Sequence, residues 1–424
     1  MCTGMTAGFN ISSAIDALPV RFPTLPAPAP IARKRLLMEK ILSASRPDSA
    51  EEVEERVRTA LAERRPLAIH CGYSKSQLGR RVPGLTPLDL SELSGVVSYE
   101  PAELILISKP GTRLSDLEAM LAAEGQRFAF EPPSWGAAAS IGGTVACNLS
   151  GPRRFKAGAL RDHMLGIEMV NGFGERVRAG GRVVKNVTGY DLARVLAGSF
   201  GTLGILTEVC LKVWPIPDSE QTLCVPDLAP GEALKHMLSW ASLPMEITGM
   251  TYSPASGLYV RIEGPQKAVQ SQVDGLKQHC SSETGLLEDA DSGEFWRQWR
   301  ELEWMVPADH EQRWRFSCPP ARVVRLMEAL RAHGLQKYGF DWAGGLLWGL
   351  FPINAEIGVI HRTAVRHDAI AWRFANESEE RNEEAFTPPS GPVMRMNQTL
   401  KRALDPQAIF NPRRIYALDE APPA

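Results

Sequence analysis

Three short segments of the chain that contain glycine stand out, at residues 69–75, 132–148 and 198–204. The first segment follows a predicted strand at 67–69, and the third leads into a predicted strand at 205–213. Because glycine has no Cβ, it allows tight turns and lets another backbone or a ligand come close. The pattern predicts a mixed α and β protein whose connections line a binding cleft.

Each glycine segment offers groups that can bind phosphate. Consecutive N–H groups in residues 69–75 can converge on a phosphate, and Ser74 and Lys75 add donors. Gly142 and Gly143 expose backbone to a ligand, and a helix beginning near Thr144 would direct its N-terminus at a pyrophosphate. Taken alone, each segment is also an ordinary connection between strands. The three together favour a phosphate-containing ligand.

A first helix is predicted to begin after Ser49. Ser49 and Glu52 have the spacing of a capping box, in which each side chain accepts from a free backbone N–H group. Val53 and Val57 then share one helix face. Pro66 ends the helix, because proline cannot continue the hydrogen-bond ladder.

Proline and tryptophan mark the divisions of the chain. Five prolines between residues 19 and 30 favour extended backbone, which predicts a leader at 1–46. Pro215 and Pro217 end the first folded region, and eight of the ten tryptophans follow them. Strands and helices then alternate, which predicts a sheet with helices packed on it. The expected divisions are the leader at 1–46, domains at 47–217 and 218–389, and a tail at 390–424.

Composition excludes several classes of protein. The 47 Lys and Arg residues against 49 Asp and Glu give a net charge of −2, which argues against a nucleic-acid binder. No apolar run is long enough to span a membrane. The seven cysteines are scattered without C-x-x-C spacing, which is typical of a reducing cytoplasm and provides no iron–sulfur ligand set. A G-x-G-x-x-G fingerprint and a P-loop are also missing.

Two further groups of residues each have two interpretations. His361 and His367 are six positions apart, and structural or surface roles are favoured over metal binding, so no metal site is predicted. Trp296, Trp299 and two later tryptophans, Trp304 and Trp314, would form either a surface for a partner or the core of the second domain. We favour the core.

A resemblance to a known flavoprotein family is carried by residues 70–80, 131–154 with 157–162, and 181–191 with 204–215. These stretches resemble the FAD-binding domain of the vanillyl-alcohol oxidase and p-cresol methylhydroxylase (PCMH) superfamily. Further stretches are similar to the small FAD-binding subunits, of the E type, of bacterial glycolate oxidases; they are 93–104, 150–154, 341–344 and 405–412. The resemblance covers about 47–417. It implies an α+β fold, with a two-subdomain PCMH-type FAD-binding domain at 47–217, an α/β cap domain with an antiparallel sheet, and a tail that returns to the FAD domain.

The resemblance also implies non-covalently bound FAD and a set of residues around it. Residues Cys71, Gly72, Tyr73, Ser74 and Lys75 would surround the pyrophosphate. The remainder of the FAD site would be formed by Pro133, Gly142, Gly143, Thr144, Asn148, Gly158, Arg161, Asp162, Gly204, Ile205 and Leu206.

Three positions depart from the pattern of the family. Cys71 and Tyr73 carry a Cβ in a loop where the family has glycine, which predicts altered loop geometry. Arg413 stands where the tail of the family has glycine. His70 could carry the flavin covalently, as a histidine in this loop does in some relatives, but E-type subunits bind FAD without a covalent bond.

The function implied by the resemblance is that of an FAD-binding subunit of a multi-subunit glycolate oxidase, which oxidises glycolate to glyoxylate. Its partners would be a larger FAD-containing subunit and an iron–sulfur subunit, in the cytoplasm, with attachment to the inner membrane through partners left open. Chemistry on a 2-hydroxy acid needs a base and cations for the carboxylate, and only Arg161, Arg313 and Arg362 are loose candidates, so catalytic residues stay unassigned. The alternatives are a stand-alone FAD-dependent 2-hydroxy-acid dehydrogenase and a flavin-free scaffold subunit.

Overall fold

A computed structural model describes residues 45–80, 82–181, 191–280, 283–374 and 384–416 of the chain. The expected leader at 1–46 lies almost entirely outside the described residues, as does most of the 181–191 stretch. The domain limits given above remain predictions.

Eleven α-helices occur in the described residues. They are α1 (Ala50–Glu63), α2 (Leu114–Ala123), α3 (Ile141–Cys147), α4 (Arg154–Ala157), α5 (Leu192–Leu196), α6 (Pro230–Trp240), α7 (Gln266–Lys277), α8 (Asp289–Arg300), α9 (Val323–Arg331), α10 (Ile357–Arg366) and α11 (Gly391–Leu404).

Seventeen strands accompany these helices in the same part of the chain. Nine precede α6: β1 (Leu67–His70), β2 (Thr86–Asp89), β3 (Val96–Glu100), β4 (Ile105–Ser108), β5 (Gln126–Arg127), β6 (Met164–Val170), β7 (Arg176–Gly180), β8 (Ile205–Lys212) and β9 (Trp214–Pro215). The others are β10 (Ser219–Val225), β11 (Ile247–Ser253), β12 (Gly257–Gly264), β13 (Gly285–Glu288), β14 (Glu311–Ser317), β15 (Lys337–Asp341), β16 (Leu346–Pro352) and β17 (Ile370–Phe374).

A small parallel sheet opens the described chain and is completed by its tail. Strand β1 pairs with β2, and Leu67 also forms a parallel bridge with Phe410. Helix α1 begins as predicted, since the Ser49 hydroxyl accepts a hydrogen bond from the N–H group of Glu52. The Glu52 carboxylate accepts from the N–H of Asp48 rather than of Ser49, so the capping box is displaced by one residue.

The second layer is a five-stranded antiparallel sheet with the order β3-β4-β8-β6-β7. Its core includes Leu117 and Leu121 of α2, Val145 of α3 and Val209 of β8, all fully or almost fully buried. The two sheets therefore place the ends of β1, α3 and β8 next to one another.

The residues after β9 form an eight-stranded antiparallel sheet with the order β13-β10-β12-β11-β15-β16-β14-β17. Helices α6, α7, α9 and α10 pack on one face of it. The other face carries an aromatic cluster, which also contains Leu78, Cys147 and Phe200 from the first half of the chain. This arrangement confirms the expected α+β fold and the antiparallel sheet of the cap.

Several details differ from the expectations. Helix α3 begins at Ile141 rather than near Thr144, because the Ser140 hydroxyl caps it by accepting from the N–H of Gly143. Trp296 and Trp299 are buried, with Trp304 and Trp314, which confirms the core interpretation. Among the described residues, no helix has both the length and the apolar character needed to cross a membrane.

Candidate functional site

The three glycine segments meet at one cleft of about 690 Å³, including its mouth. The ends of β1, α3 and β8 form its walls, and the C-terminal tail adds a fourth side. It is lined by Ile69, His70, Cys71, Tyr73, Lys75, Ser76, Leu90, Pro110, Gly142, Gly143, Ala146, Cys147, Ser199, Phe200, Gly201, Gly204, Ile205, Leu206, Asn411 and Arg414.

The loop after β1 has a backbone conformation that depends on the glycine at position 72. Gly72 has φ +74°, and a Cβ at this position would lie 1.8 Å from the carbonyl oxygen of Ala138. Tyr73 also has positive φ, at 55°, and its ring stacks on His70 with 4.5 Å between ring centroids. The left-handed conformation thus persists at a non-glycine residue, which carries strain that the stacked ring helps to offset.

The backbone of this loop offers unused hydrogen-bond donors. Within the described part of the chain, the N–H groups of residues 71–75 donate to no acceptor. The carbonyl of Cys71, by contrast, accepts from the Ser140 hydroxyl at 3.0 Å, which fixes the loop against α3. Consecutive N–H groups held in a turn form a concave site for an anion.

The charges around the cleft also favour an anion. Lys75 and Arg414 line it, and no acidic side chain does so among the described residues. Lys75 is buried, which lowers its pKa, and its Nζ donates to Ser74 Oγ at 3.1 Å and to the Ser134 carbonyl at 3.4 Å. A negative ligand beside Lys75 would favour its charged form and raise its pKa again.

The cysteines of the cleft are protonated thiols. Burial raises the pKa of Cys71 to about 12 and that of Cys147 to about 11. Cys71 Sγ donates to the Pro110 carbonyl at 3.2 Å. Because a nucleophile or metal ligand would need the thiolate, both residues have a packing role here. No cluster of three or more metal-binding side chains exists among the residues that the structure describes.

Packing between loops accounts for the glycines of α3. A Cβ on Gly142 would lie 2.4 Å from Cβ of Pro110, so this glycine allows α3 to approach the neighbouring loop. Gly142 is therefore needed for the packing of α3, in addition to the predicted exposure of its backbone to a ligand. The Thr144 hydroxyl points back to the Ser140 carbonyl at 2.9 Å and is fully buried.

Half of the sixteen predicted site residues line the cleft. These are Cys71, Tyr73, Lys75, Gly142, Gly143, Gly204, Ile205 and Leu206. Gly72, Ser74 and Thr144 support the loops without lining it. Pro133 lines a second cavity, under the cap.

The other predicted residues lie together outside the cleft. Asn148 ends α3, and its Oδ1 accepts from the N–H of Arg161 at 3.2 Å. Asp162 accepts from the N–H of Ala159, and Gly158 lies beside the Asp162 carboxylate. Arg161 and Asp162 are largely exposed. A direct role in FAD binding for this group remains a prediction that the cleft does not support.

The main residues that the sequence interpretation missed come from the tail. Asn411 Oδ1 accepts from the N–H of Ile69 at 2.8 Å, and its Nδ2 donates to the Phe200 carbonyl at 2.8 Å. Arg414 donates to the Leu78 carbonyl. The stretch at 405–412, which resembles the tail of the family, could have indicated Asn411. Arg413 has φ 59°, so the arginine adopts the conformation that glycine provides in the family.

The cleft has the groups that a dinucleotide needs. Its described lining residues include two cations and no acid, the N–H groups of its 71–75 loop have no described acceptor, and Phe200 and Leu206 belong to its apolar wall. A model of the FAD-binding domain family matches residues 43–180. The fold is also that of alkyldihydroxyacetonephosphate synthase, with a TM-score of 0.64, 16% identity and coverage of 87% of this chain and 75% of that one. The fold and the cleft thus define an FAD-binding protein.

Comparison with curated proteins narrows this class. Glycolate oxidase subunit GlcE of Escherichia coli K12 is 36% identical over 370 residues, which is 87% of this chain and 98% of that protein. Glycolate oxidase subunit GlcD of Bacillus subtilis is 26% identical over 255 residues, covering 55% and 54% of the two chains. D-lactate dehydrogenase of Anaerostipes hadrus is 34% identical over 145 residues, covering 34% and 30%. The chain belongs to the family of glycolate oxidase subunit GlcE.

Proposed function

We propose that the chain is the FAD-carrying subunit of a multi-subunit glycolate oxidase that oxidises glycolate to glyoxylate. The similarity to GlcE over 98% of that protein supports the assignment of the complex. The observation that supports a flavin role for this chain is the cleft. Three residues of the 71–75 loop, whose N–H groups donate to no described acceptor, line it together with Arg414, and no acid lies among its described lining residues. Bound FAD would supply the acceptor for the hydride of the substrate.

Each wall of the cleft has a separate task in this proposal. The 71–75 backbone binds the pyrophosphate, and Lys75 and Arg414 neutralise its charge. Residues 204–206 and Phe200 provide a flat apolar surface for the ring system. Asn411 keeps the Ile69 and Phe200 loops at a fixed separation. In this proposal FAD is held without a covalent bond, and His70 stacks on Tyr73.

The proposed partners are a larger FAD-containing subunit and an iron–sulfur subunit that receives the electrons. The cysteines of this chain are scattered through the sequence, so an iron–sulfur group would be held elsewhere. We place the complex in the cytoplasm, where free thiols persist. Any contact with the inner membrane would be peripheral and made through the partners.

The flavin role is tested by the absorbance of the purified full chain near 450 nm and by the identity of the cofactor released on denaturation. Lys75→Met is expected to weaken FAD binding about tenfold or more, since it removes a buried cation beside the phosphates. Lys156→Met is the control, because Lys156 pairs only with Glu246 at the surface. A colourless wild-type protein that stays colourless with added FAD would support the scaffold alternative.

The subunit role is tested by tagging the chain in its own cells and identifying what co-purifies. We expect two further polypeptides with iron and a second flavin, and loss of glycolate oxidation in extracts when the gene is deleted. Turnover of glycolate or lactate by the isolated chain with an artificial acceptor would instead favour a stand-alone dehydrogenase. Unchanged glycolate oxidation in the deletion strain would refute the proposal.

A further inference from the structure

Arg315 is a buried arginine on β14, at the interface between the cap and the first half of the chain. Strand β14 pairs with β16 on one side and with β17 on the other. Its neighbours Trp314 and Phe316 point into the helix-covered core. Because side chains alternate along a strand, Arg315 points to the opposite face, where its residue is only 4% exposed.

The guanidinium of Arg315 has no hydrogen-bonding or ionic partner in the described part of the chain. Two other buried arginines have partners. Arg261 forms a bidentate ion pair with Glu131, with both N–O distances at 3.0 Å. Arg373 donates from Nε to Gln312 at 2.6 Å. A buried charge without a partner is costly, and an absent ligand is one physical reason for such a group.

Tryptophan rings surround the guanidinium of Arg315, but the N–H groups at its edge have no acceptor in the described part of the chain. The guanidinium carbon lies 4.5 Å from the ring centroid of Trp372, 4.9 Å from that of Trp342 and 6.0 Å from that of Trp348. Ring faces attract the cation, but they accept none of its in-plane N–H groups. Burial lowers the pKa of Arg315 to about 9, so the side chain stays charged at neutral pH.

A cavity of about 320 Å³, including its mouth, adjoins Arg315. It is also lined by Trp135, Trp299 and Trp348, by residues 150–152 and by Arg300. Apolar walls with one or two polar groups are typical of small-molecule sites. The cavity also lies beside the FAD cleft. Pro133 and Trp135 line it, and Lys75 of the cleft donates to the carbonyl of the intervening Ser134.

The nearest acid does not satisfy Arg315. Asp341 also lines the cavity, but it makes no ion pair with Arg315 within 4.0 Å. One carboxylate oxygen accepts from the N–H of Trp342 at 2.7 Å, and the other accepts from Nε1 of Trp299 at 3.2 Å. Burial raises the pKa of Asp341 to about 7, which favours its neutral form. Arg315 is therefore the cationic group of this lining that has no ionic partner among the described residues, since Arg300 is paired with Glu301 and Glu118.

We propose that Arg315 binds the carboxylate of a small organic acid in this cavity. The planar guanidinium and a carboxylate match in a bidentate pair, and the tryptophan rings restrict the rest of the ligand to a few atoms. The identification of this acid as a 2-hydroxy acid, and as glycolate in particular, rests on the proposed function. Arg315, rather than Arg313, Arg161 or Arg362, is then the residue that selects for an acid.

The test uses the full chain loaded with FAD and titrates it with glycolate while intrinsic tryptophan fluorescence is recorded. We expect saturable quenching, because five tryptophans surround or line the site. Arg315→Lys should weaken binding about tenfold or more, since one ammonium replaces a bidentate fork. Arg313→Lys is the matched control, because Arg313 lies two residues away on β14 and outside the cavity. Its affinity should be unchanged.

A neutral analogue keeps the test valid where Arg315→Lys does not fold. The wild-type chain should bind glycolate at least tenfold more tightly than glycolamide, which has the same shape and no charge. Equal binding of the two, no quenching by glycolate, or an unchanged affinity in a folded Arg315→Lys variant would each overturn the proposal. Normal FAD absorbance in the same samples would show that the flavin role stands whichever result is found.

Discussion

Gly72 shows how a single missing Cβ shapes the cleft. Gly72→Ala should abolish FAD binding and lower stability by several kcal/mol, because the new Cβ would lie 1.8 Å from the Ala138 carbonyl oxygen. Gly84→Ala is the control. Gly84 has a similar φ of +79° but open space around its Cβ, so it should lose only about 1 kcal/mol. Flavin content and thermal unfolding measure the difference. Equal losses in the two variants would mean that φ alone governs the site.

Asp341 should make stability depend on pH. Its pKa rises from the ordinary 3.8 to about 7 in the folded chain because it is buried. The folded state therefore binds the proton more tightly, and its stability falls as pH rises from about 4 to 7, by roughly 4 kcal/mol for this group. Asp341→Asn should flatten this slope, although it loses one of the two tryptophan and backbone hydrogen bonds. Urea unfolding at pH 4.5, 5.5, 6.5 and 7.5 gives the comparison. Parallel curves for the two proteins would contradict the prediction.

A buried ionic network joins the loop before α3 to strands of the cap. Glu131 pairs with Arg261 and Arg153, and Arg153 also reaches Glu263 at 2.8 Å and Glu220 at 3.2 Å. Burial opposes ionisation of Glu131, but the guanidinium groups of Arg153 and Arg261 outweigh it and lower its pKa to about 2. The network fixes the cap to the first half of the chain, since its members come from both.

Removing Glu131 should therefore be costly. Glu131→Gln leaves two buried guanidinium groups without their shared charge, and we expect a loss of about 3 kcal/mol or more in the free energy of unfolding. Glu294→Gln is the control. The pKa of Glu294 is also lowered to about 2, by hydrogen bonds from Arg297, but Glu294 is exposed. Its loss should stay within about 0.5 kcal/mol. Similar losses in a urea titration would show that burial does not set the strength of these pairs.

At the scale of elements, local sequence signals predicted much of the first half and less of the cap. The Ser49 cap, the Pro66 stop and the apolar strands β6 and β8 all carry local patterns, and the structure agrees within one or two residues. Strands β11 and β14 contain Thr251 and Arg315, polar residues that look solvent-facing. Thr251 is buried because its hydroxyl donates to the carbonyl of Phe340, and Arg315 is buried beside a cavity. No pattern within one strand can reveal such partners.

The candidate site was predictable to a similar extent. The loop at 71–75 and the glycines of α3 carried local signals and line the cleft or support it. Asn148, Arg161 and Asp162 were placed by resemblance; they form hydrogen bonds with nearby residues of the same region, and their part in FAD binding stays a prediction. The cations Lys75 and Arg414 are 339 positions apart in sequence, and only the return of the tail brings both to one cleft.

The whole molecule depends on that return. Asn411→Ala should cost about 2 kcal/mol and weaken FAD binding, because two buried backbone groups, of Ile69 and Phe200, lose their partners. Asn397→Ala, on α11, removes the same side chain where it makes no such bonds and should change neither quantity by much. Thermal unfolding and FAD titration of both variants provide the check. A stable Asn411→Ala chain with normal flavin content would show that the tail is dispensable for the cleft.

The tail also sets when the cofactor can enter. Ile69 and Asn411 are joined across 342 positions, and Arg414 lies still later. A ribosome that adds about 5–20 residues per second completes this gap roughly 20–70 s after it has made the first strand. A nascent chain therefore has no finished pocket until residues 411–414 have been made. Flavin loading has to wait for these residues, and a chain that terminates before them would emerge as an apoprotein whatever the supply of FAD.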